Sequence, residues 1–120
     1  MLPKKNRADT KLVKKIFKEG KFINSPNLTL KYLDNISNEK RISFIVPKTV
    51  SKKAIVRNLL RRRGYFILKK YWEFFPSTIG GVFIFSKKSF QIFGGKKNKN
   101  KNPTKKLEEE IKIILGKLKN

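Results

Sequence analysis

Seven cations fall in the run KTVSKKAIVRNLLRRRGY, residues 48–65: Lys48, Lys52, Lys53, Arg57, Arg61, Arg62 and Arg63. Ammonium and guanidinium groups bind anions, and the planar guanidinium fork matches a phosphate in two places at once. These charges are not on a low-complexity tail. They alternate with Ala54, Ile55, Val56, Leu59, Leu60 and, further on, Ile67, a pattern that predicts an amphipathic helix. A rigid basic helix holds a polyanion in register as well as attracting it.

Other chemistries are poorly supplied. The 120 residues contain no histidine and no cysteine, which removes the commonest general acid/base, disulfides and thiolate metal ligands. The acids are Asp9, Glu19, Asp34, Glu39, Glu73 and Glu108–Glu110, and none has a metal-ligand spacing such as DxD. Catalysis by the chain's own side chains is therefore not expected. The net charge of +23 comes from 31 Lys+Arg against 8 Asp+Glu. Self-repulsion of that size makes a compensating anion part of the expected working state. Absence of cysteine fits a cytoplasmic location. The first residues lack the apolar core of a signal peptide, and runs such as VFIF at 82–85 are too short to span a bilayer, so no membrane association is expected.

The elements that must position the cations can be read from pattern. Residues 9–19 predict a short helix, capped by Asp9 or Thr10, with Leu12, Val13, Ile16 and Phe17 on one face and Gly20 at its end. Residues 27–33 alternate as a half-buried strand, and residues 40–47 form another with Ile42, Phe44 and Val46 inward. Ser51 is the expected N-cap of a helix running to about Trp72. Residues 82–86 (VFIFS) are apolar on both faces and so belong at the centre of a sheet; residues 87–93 could extend that strand or curl away. Three units follow: a body over residues 1–93, a flexible Lys/Asn-rich linker over 94–103, and a C-terminal helix over 104–120 packing on the same body through Leu107, Ile111, Ile114 and Leu118. The class is α+β, with a small sheet covered by helices.

On a helical wheel of about 100° per residue, Lys53 and Arg61 lie within ~40° of Arg57, with Asn58 and Arg62 at ~100° and ~140°. Lys53, Arg57 and Arg61 then form one stripe with steps of about 6 Å, close to the phosphate spacing of a nucleic acid strand. Ile55, Val56, Leu59, Leu60, Phe66 and Ile67 gather opposite, so the apolar face is expected there. Gly64 falls on the stripe side, where it would let a backbone come close, and Arg63 falls toward the apolar side and would snorkel. A solvated helix face is the bland alternative, but such faces mix signs, and eleven cations and no acid lie between Glu39 and Glu73. A DNA-reading helix is disfavoured because Leu59 and Leu60 leave few side chains suited to base edges.

The run Lys52-Lys53-Ala54-Ile55-Val56-Arg57-Asn58-Leu59-Leu60-Arg61-Arg62 resembles the signature helix of the bacterial ribonuclease P protein component, roughly K-A-x-x-R-N-x-x-K/R-R. Ile16-Phe17-Lys18-Glu19-Gly20 resembles the end of that family's first helix, and Arg41–Lys48 (RISFIVPK) the strand leading into the signature. Element order matches over about residues 5–92 and through the last helix. The family commonly has Arg where Leu59 and Tyr65 stand here.

The resemblance implies an αβββαβα-type mixed sheet with a left-handed βαβ crossover, against the usual handedness. It implies an endoribonuclease subunit that helps a catalytic RNA remove the 5′ leader from precursor tRNA. The RNA subunit would carry the active site and hold most of the magnesium. Lys53, Arg57, Asn58, Arg61 and Arg62 would face that RNA, with Lys48 and Lys52 nearby. Val13, Phe17 and Lys31 align with leader-cleft positions, and core packing is the competing reading of the first two. The implied partners are ribonuclease P RNA and precursor tRNA, with a monomeric protein in a 1:1 complex. A structural RNA-binding protein of ribosomal type is the alternative in another class, and a nucleoid-type DNA binder a third.

Overall fold

Asp9 sets the start of the first helix. In the computed structural model, which describes residues 2–36, 38–87, 89 and 103–119, its carboxylate accepts a hydrogen bond from the Leu12 amide at 2.8 Å. Helix α1 then runs Thr10–Glu19. Gly20 ends it with ordinary negative φ, so the glycine serves space, not conformation: a Cβ there would lie 2.5 Å from the Ile16 carbonyl oxygen.

Strands β1 (Lys21–Asn24) and β2 (Leu28–Leu33) form an antiparallel hairpin. The pattern-derived order has no β1, whose four residues bury nothing fully and therefore carry little alternation. Strand β3 (Arg41–Ile45) is shorter than the expected 40–47, and β4 covers Gly80–Phe85. The sheet order is β1-β2-β4-β3, with β4 antiparallel to β2 and parallel to β3. β4 is thus central, as its two apolar faces predict. It begins two residues earlier than expected because Gly80 and Gly81, read as turn residues, pair with Leu33 and Tyr32. A Cβ at Gly80 would lie 2.5 Å from Ile36 Cγ2, so this crossing requires a bare backbone.

Helix α2 (Ala54–Tyr71) joins β3 to β4 and completes the βαβ unit, and α3 (Pro103–Leu118) closes the order. Leu28, Leu30, Ile42, Phe44, Phe83 and Phe85 point to the α2/α3 side and form the main core with Leu60, Ile67, Leu68, Leu107, Ile111 and Ile114. Val82 faces the other way, and the fully buried Ile16 of α1 covers that side. The N-terminal segment lies along β3: the Ala8 amide donates to Ser43 Oγ at 2.8 Å, and Asn6 Nδ2 to the Lys40 carbonyl at 3.1 Å. This covers strand atoms that would otherwise invite pairing at the sheet edge.

Two expectations for α2 fail. Lys53, not Ser51, is the N-cap, and no side chain caps the helix; Ser51 Oγ instead accepts from the Lys53 amide at 3.2 Å. The buried face is also displaced. Leu60, Gly64, Tyr65, Ile67 and Leu68 are buried, whereas Ile55 and Phe66, expected inside, are 73% and 63% exposed. Apolar residues occupy most of the α2 circumference, so periodicity alone could not select a side. Gly64 selects it: placed against the Phe44 ring, it admits the helix to the sheet. Gly64 therefore faces the core and not a nucleic acid backbone.

Helix α3 starts at Pro103, where a missing amide proton costs nothing, and not at Thr104. The linker assigned to 94–103, apart from Pro103, and the undecided stretch 87–93, apart from Lys87 and Ser89, lie outside the described residues. Glu110 ties α3 to the β1–β2 turn. Its buried carboxylate accepts from Ser25 Oγ at 2.5 Å, the Asn27 amide at 2.7 Å and Asn27 Nδ2 at 3.0 Å. Glu110→Gln would turn a donor toward these donors; a loss of roughly 2 kcal/mol in urea unfolding is expected, and an unchanged midpoint would refute the tie.

Candidate nucleic-acid interface

None of residues 54–59 is buried, so the first turn and a half of α2 projects beyond the core. The loop before it carries exposed Lys48, Lys52 and Lys53; the helix adds exposed Asn58 and Arg62 and half-buried Arg57, Arg61 and Arg63. All seven predicted RNA-facing residues therefore belong to one continuous segment.

Their arrangement differs from the expected stripe. Lys53 precedes the helix. Arg57 and Arg61 sit within about 80° of the direction in which Leu60, Gly64, Ile67 and Leu68 enter the core. Arg57 reaches solvent because it precedes the packed part of the helix, which begins at Leu60, and Arg61 stays half-buried at the edge of that part. Arg62 points away from the core, so the cations surround the projecting end instead of lining one side.

Two guanidiniums are held in place. Arg57 Nη1 donates to the Ser51 carbonyl at 2.9 Å, and Arg61 Nη2 donates to Asn58 Oδ1. Each of these bonds uses one of five guanidinium N–H groups. The remainder stay available to phosphate oxygens, and less side-chain entropy is lost when they bind. No acid lies in the first turn of α2 to compete for them.

Tyr65 stands where the resembled family commonly has Arg. It is 5% exposed, its ring meets Phe44 edge-on at 5.0 Å, and its hydroxyl accepts from the Phe44 amide at 3.2 Å. A packing role has replaced a charge. Leu59, the other departure, is half-buried.

The second candidate surface lies on the α1 side of the sheet. Ile16 is the buried residue there, while Val13 is half-buried and Phe17 is 43% exposed. Lys31 of β2 places Nζ 5.3 Å from the centre of the Phe17 ring. Val13, Phe17 and Lys31 thus share one region, and core packing does not describe Phe17. Sequence reading missed Phe22, which pairs in register with Lys31 and is 63% exposed. The only available signal was the alternation of KFIN, four residues long. Phe17 and Phe22 flank a lysine, an arrangement suited to stacking unpaired bases beside a neutralised backbone.

Among the described residues, no group of three or more His, Cys, Asp or Glu could hold a metal ion, and no helix is long and apolar enough to cross a membrane.

The family model for ribonuclease P matches residues 2–119. No curated protein sequence matches the chain. Among solved structures, the chain is similar to the RNase P protein from Thermotoga maritima, with a TM-score of 0.76 at 22% identity over 92% of this chain and 96% of that one. It is also similar to the Staphylococcus aureus RNase P protein, with a TM-score of 0.74 at 14% identity over 93% of each chain. A Staphylococcus aureus RNase P protein mutant with defective mRNA degradation activity gives 0.77 at 15% identity, over 97% of this chain and 90% of that one. The structural likenesses establish the common fold, and the sequence match over nearly the whole length establishes more: the chain belongs to the ribonuclease P protein family, with the subunit role in tRNA processing and the RNA partner that membership implies.

Proposed function

We propose that the chain binds a catalytic ribonuclease P RNA through the projecting start of α2 and the 5′ leader of precursor tRNA through the α1 side of the sheet. The observation that carries this reading is the presence of two surfaces of different chemistry. One carries many cations and no acid, with Arg57 and Arg61 pre-positioned. The other combines exposed aromatic rings with Lys31. The first suits a folded RNA backbone, and the second an unpaired strand.

On this reading Lys48, Lys52, Lys53, Arg57, Asn58, Arg61 and Arg62 contact the RNA subunit, while Val13, Phe17 and Lys31, joined by Phe22, contact the leader. On the family resemblance, the RNA would supply most of the magnesium ligands and with them the active site. Magnesium supplies Lewis acidity and an activated water for phosphodiester hydrolysis. The protein supplies neutralisation of phosphates and alignment of substrate. A monomer in a 1:1 cytoplasmic complex with the RNA is sufficient for both.

The test is single-turnover cleavage of precursor tRNA by the cognate RNA at low magnesium. Cleavage at the mature 5′ end is expected only when protein and RNA are both present. Tight RNA binding without stimulation would favour a structural RNA-binding role instead. Within that assay, Phe17→Ala should weaken precursor binding by about fivefold or more, the scale of one lost base–aromatic stack, and leave mature tRNA binding unchanged. Equal losses for both would remove the leader role.

A further inference from the structure

We propose that the groove between the end of α2 and the last turns of α3 is an additional RNA-binding surface, taking an unpaired, single-stranded stretch of RNA. It is distinct from the start of α2 and from the Phe17–Lys31 region, and goes beyond the function proposed above. Tyr71, Phe74, Lys112, Leu115, Gly116 and Lys119 line a space of about 240 Å³. That is below the roughly 300–1,000 Å³ usual for drug-sized ligands, and suits one ring system entering from a longer chain.

The lining has the two groups that single-strand recognition needs. Phe74 is 55% exposed, although it adjoins the core residue Phe75. Lys119 Nζ lies 5.0 Å from the Phe74 ring centre, and Lys112 Nζ lies 5.9 Å from that of Tyr71. A base could stack on the Phe74 ring while the two ammonium groups meet flanking phosphates. Gly116 leaves the floor open: a Cβ there would have no neighbour within 4 Å.

Charge selects the occupant. Glu108, an acid near the groove, is already engaged by the Tyr71 hydroxyl and by Lys70 Nζ at 3.3 Å. Those bonds hold its carboxyl below the ordinary range, the Tyr71 hydrogen bond being the larger cause. Exposed Glu73 lies beside Lys40. Lys112, one turn beyond Glu108 on α3, also feels that carboxylate, whereas Lys119 is left to an outside anion; an apolar peptide would desolvate both ammonium groups with little compensation. On a chain of net charge +23, a polyanion with planar bases fits better.

Position separates this surface from the others. Tyr71 lies fourteen residues beyond Arg57 on α2, about 21 Å along the helix at 1.5 Å per residue. The groove also borders α3, which packs on the sheet face opposite α1. An RNA gripped at both ends of α2 would gain affinity through effective concentration.

The test uses the full chain and a twelve-nucleotide oligoadenylate, read by amide NMR at Gly116 and Lys119. Saturable shifts at both amides are expected in the wild type and in the double variant Phe17→Ala/Phe22→Ala, which removes both exposed rings of the α1-side surface. Phe74→Ala should weaken binding at this site by about five- to tenfold. Gly116→Glu, which places a carboxylate on the open floor, should abolish it. Both substitutions are at exposed positions and should leave the melting temperature unchanged. Silent Gly116 and Lys119 amides would overturn the proposal. So would the same shifts with inorganic phosphate alone, which would mean anion binding without stacking, or shifts that follow protein concentration without RNA, which would mean a second copy of the chain in the groove.

Discussion

Gly64→Val is expected to destabilise the protein by about 3 kcal/mol, the upper end of the cost of overpacking a filled core. A Cβ at this position would lie 2.6 Å from Phe44 Cε1 and 2.7 Å from Cδ1. The ring has no room to withdraw. It stacks on Phe83 at 4.9 Å, meets Tyr65 at 5.0 Å and tilts against Phe85 at 5.7 Å. Helix propensity acts in the opposite direction, since Gly is about 1 kcal/mol worse than Ala in a helix interior, but that gain is smaller than the clash. A fall of roughly 10 °C in melting temperature should follow for a domain of this size. Phe44→Leu should recover part of the loss when combined with Gly64→Val, giving a favourable coupling in a double-mutant cycle. An unchanged melting temperature for Gly64→Val alone would show that α2 docks by other contacts.

The same glycine explains what could and could not be read without coordinates. The ends of α1 were legible because Asp9 and Gly20 act locally, through a single hydrogen bond and a single close approach. The central place of β4 was legible because a strand covered on both faces has apolar residues on both. The face of α2 was not, because the meeting of Gly64 with Phe44 spans twenty positions and leaves no mark on either local pattern. β1 was legible only through the family resemblance, whose αβββαβα order the fold has, and not in the residue pattern, for a related reason: its register is imposed by β2, while its own residues stay largely exposed. For the candidate site, the cations were legible as residues but not as a surface. Their identity follows from composition; their orientation depends on the N-cap at Lys53 and on how far α2 overhangs the core. Phe22 became visible only once the hairpin had placed it opposite Lys31.

The overhang also shapes the largest functional effect. Replacing Lys53, Arg57 and Arg61 together with Ala should weaken binding to the cognate ribonuclease P RNA by about a hundredfold near 0.1 M monovalent salt, and lower the slope of log affinity against log salt by about two to three. Each phosphate contact contributes roughly 0.7 to 0.9 to that slope, so the slope counts contacts where affinity alone does not. The three sites differ in what else they do. Lys53 is exposed and its side chain caps nothing, so its loss should affect chiefly binding. Arg57 also donates to the Ser51 carbonyl and so helps fix the loop that carries Lys52 and Lys53, a helix start that no side chain caps. Arg57→Ala should therefore lower stability by about 0.5–1.5 kcal/mol, the net worth of one hydrogen bond, in addition to weakening RNA binding. Arg57→Lys separates the two roles: it keeps the charge and hence most of the salt slope, but loses the planar fork that can hold Ser51 and a phosphate together. If Arg57→Lys were indistinguishable from wild type in affinity, salt slope and stability, the guanidinium at this position would be acting as a point charge only, and pre-positioning by the Ser51 carbonyl would have no part in RNA binding.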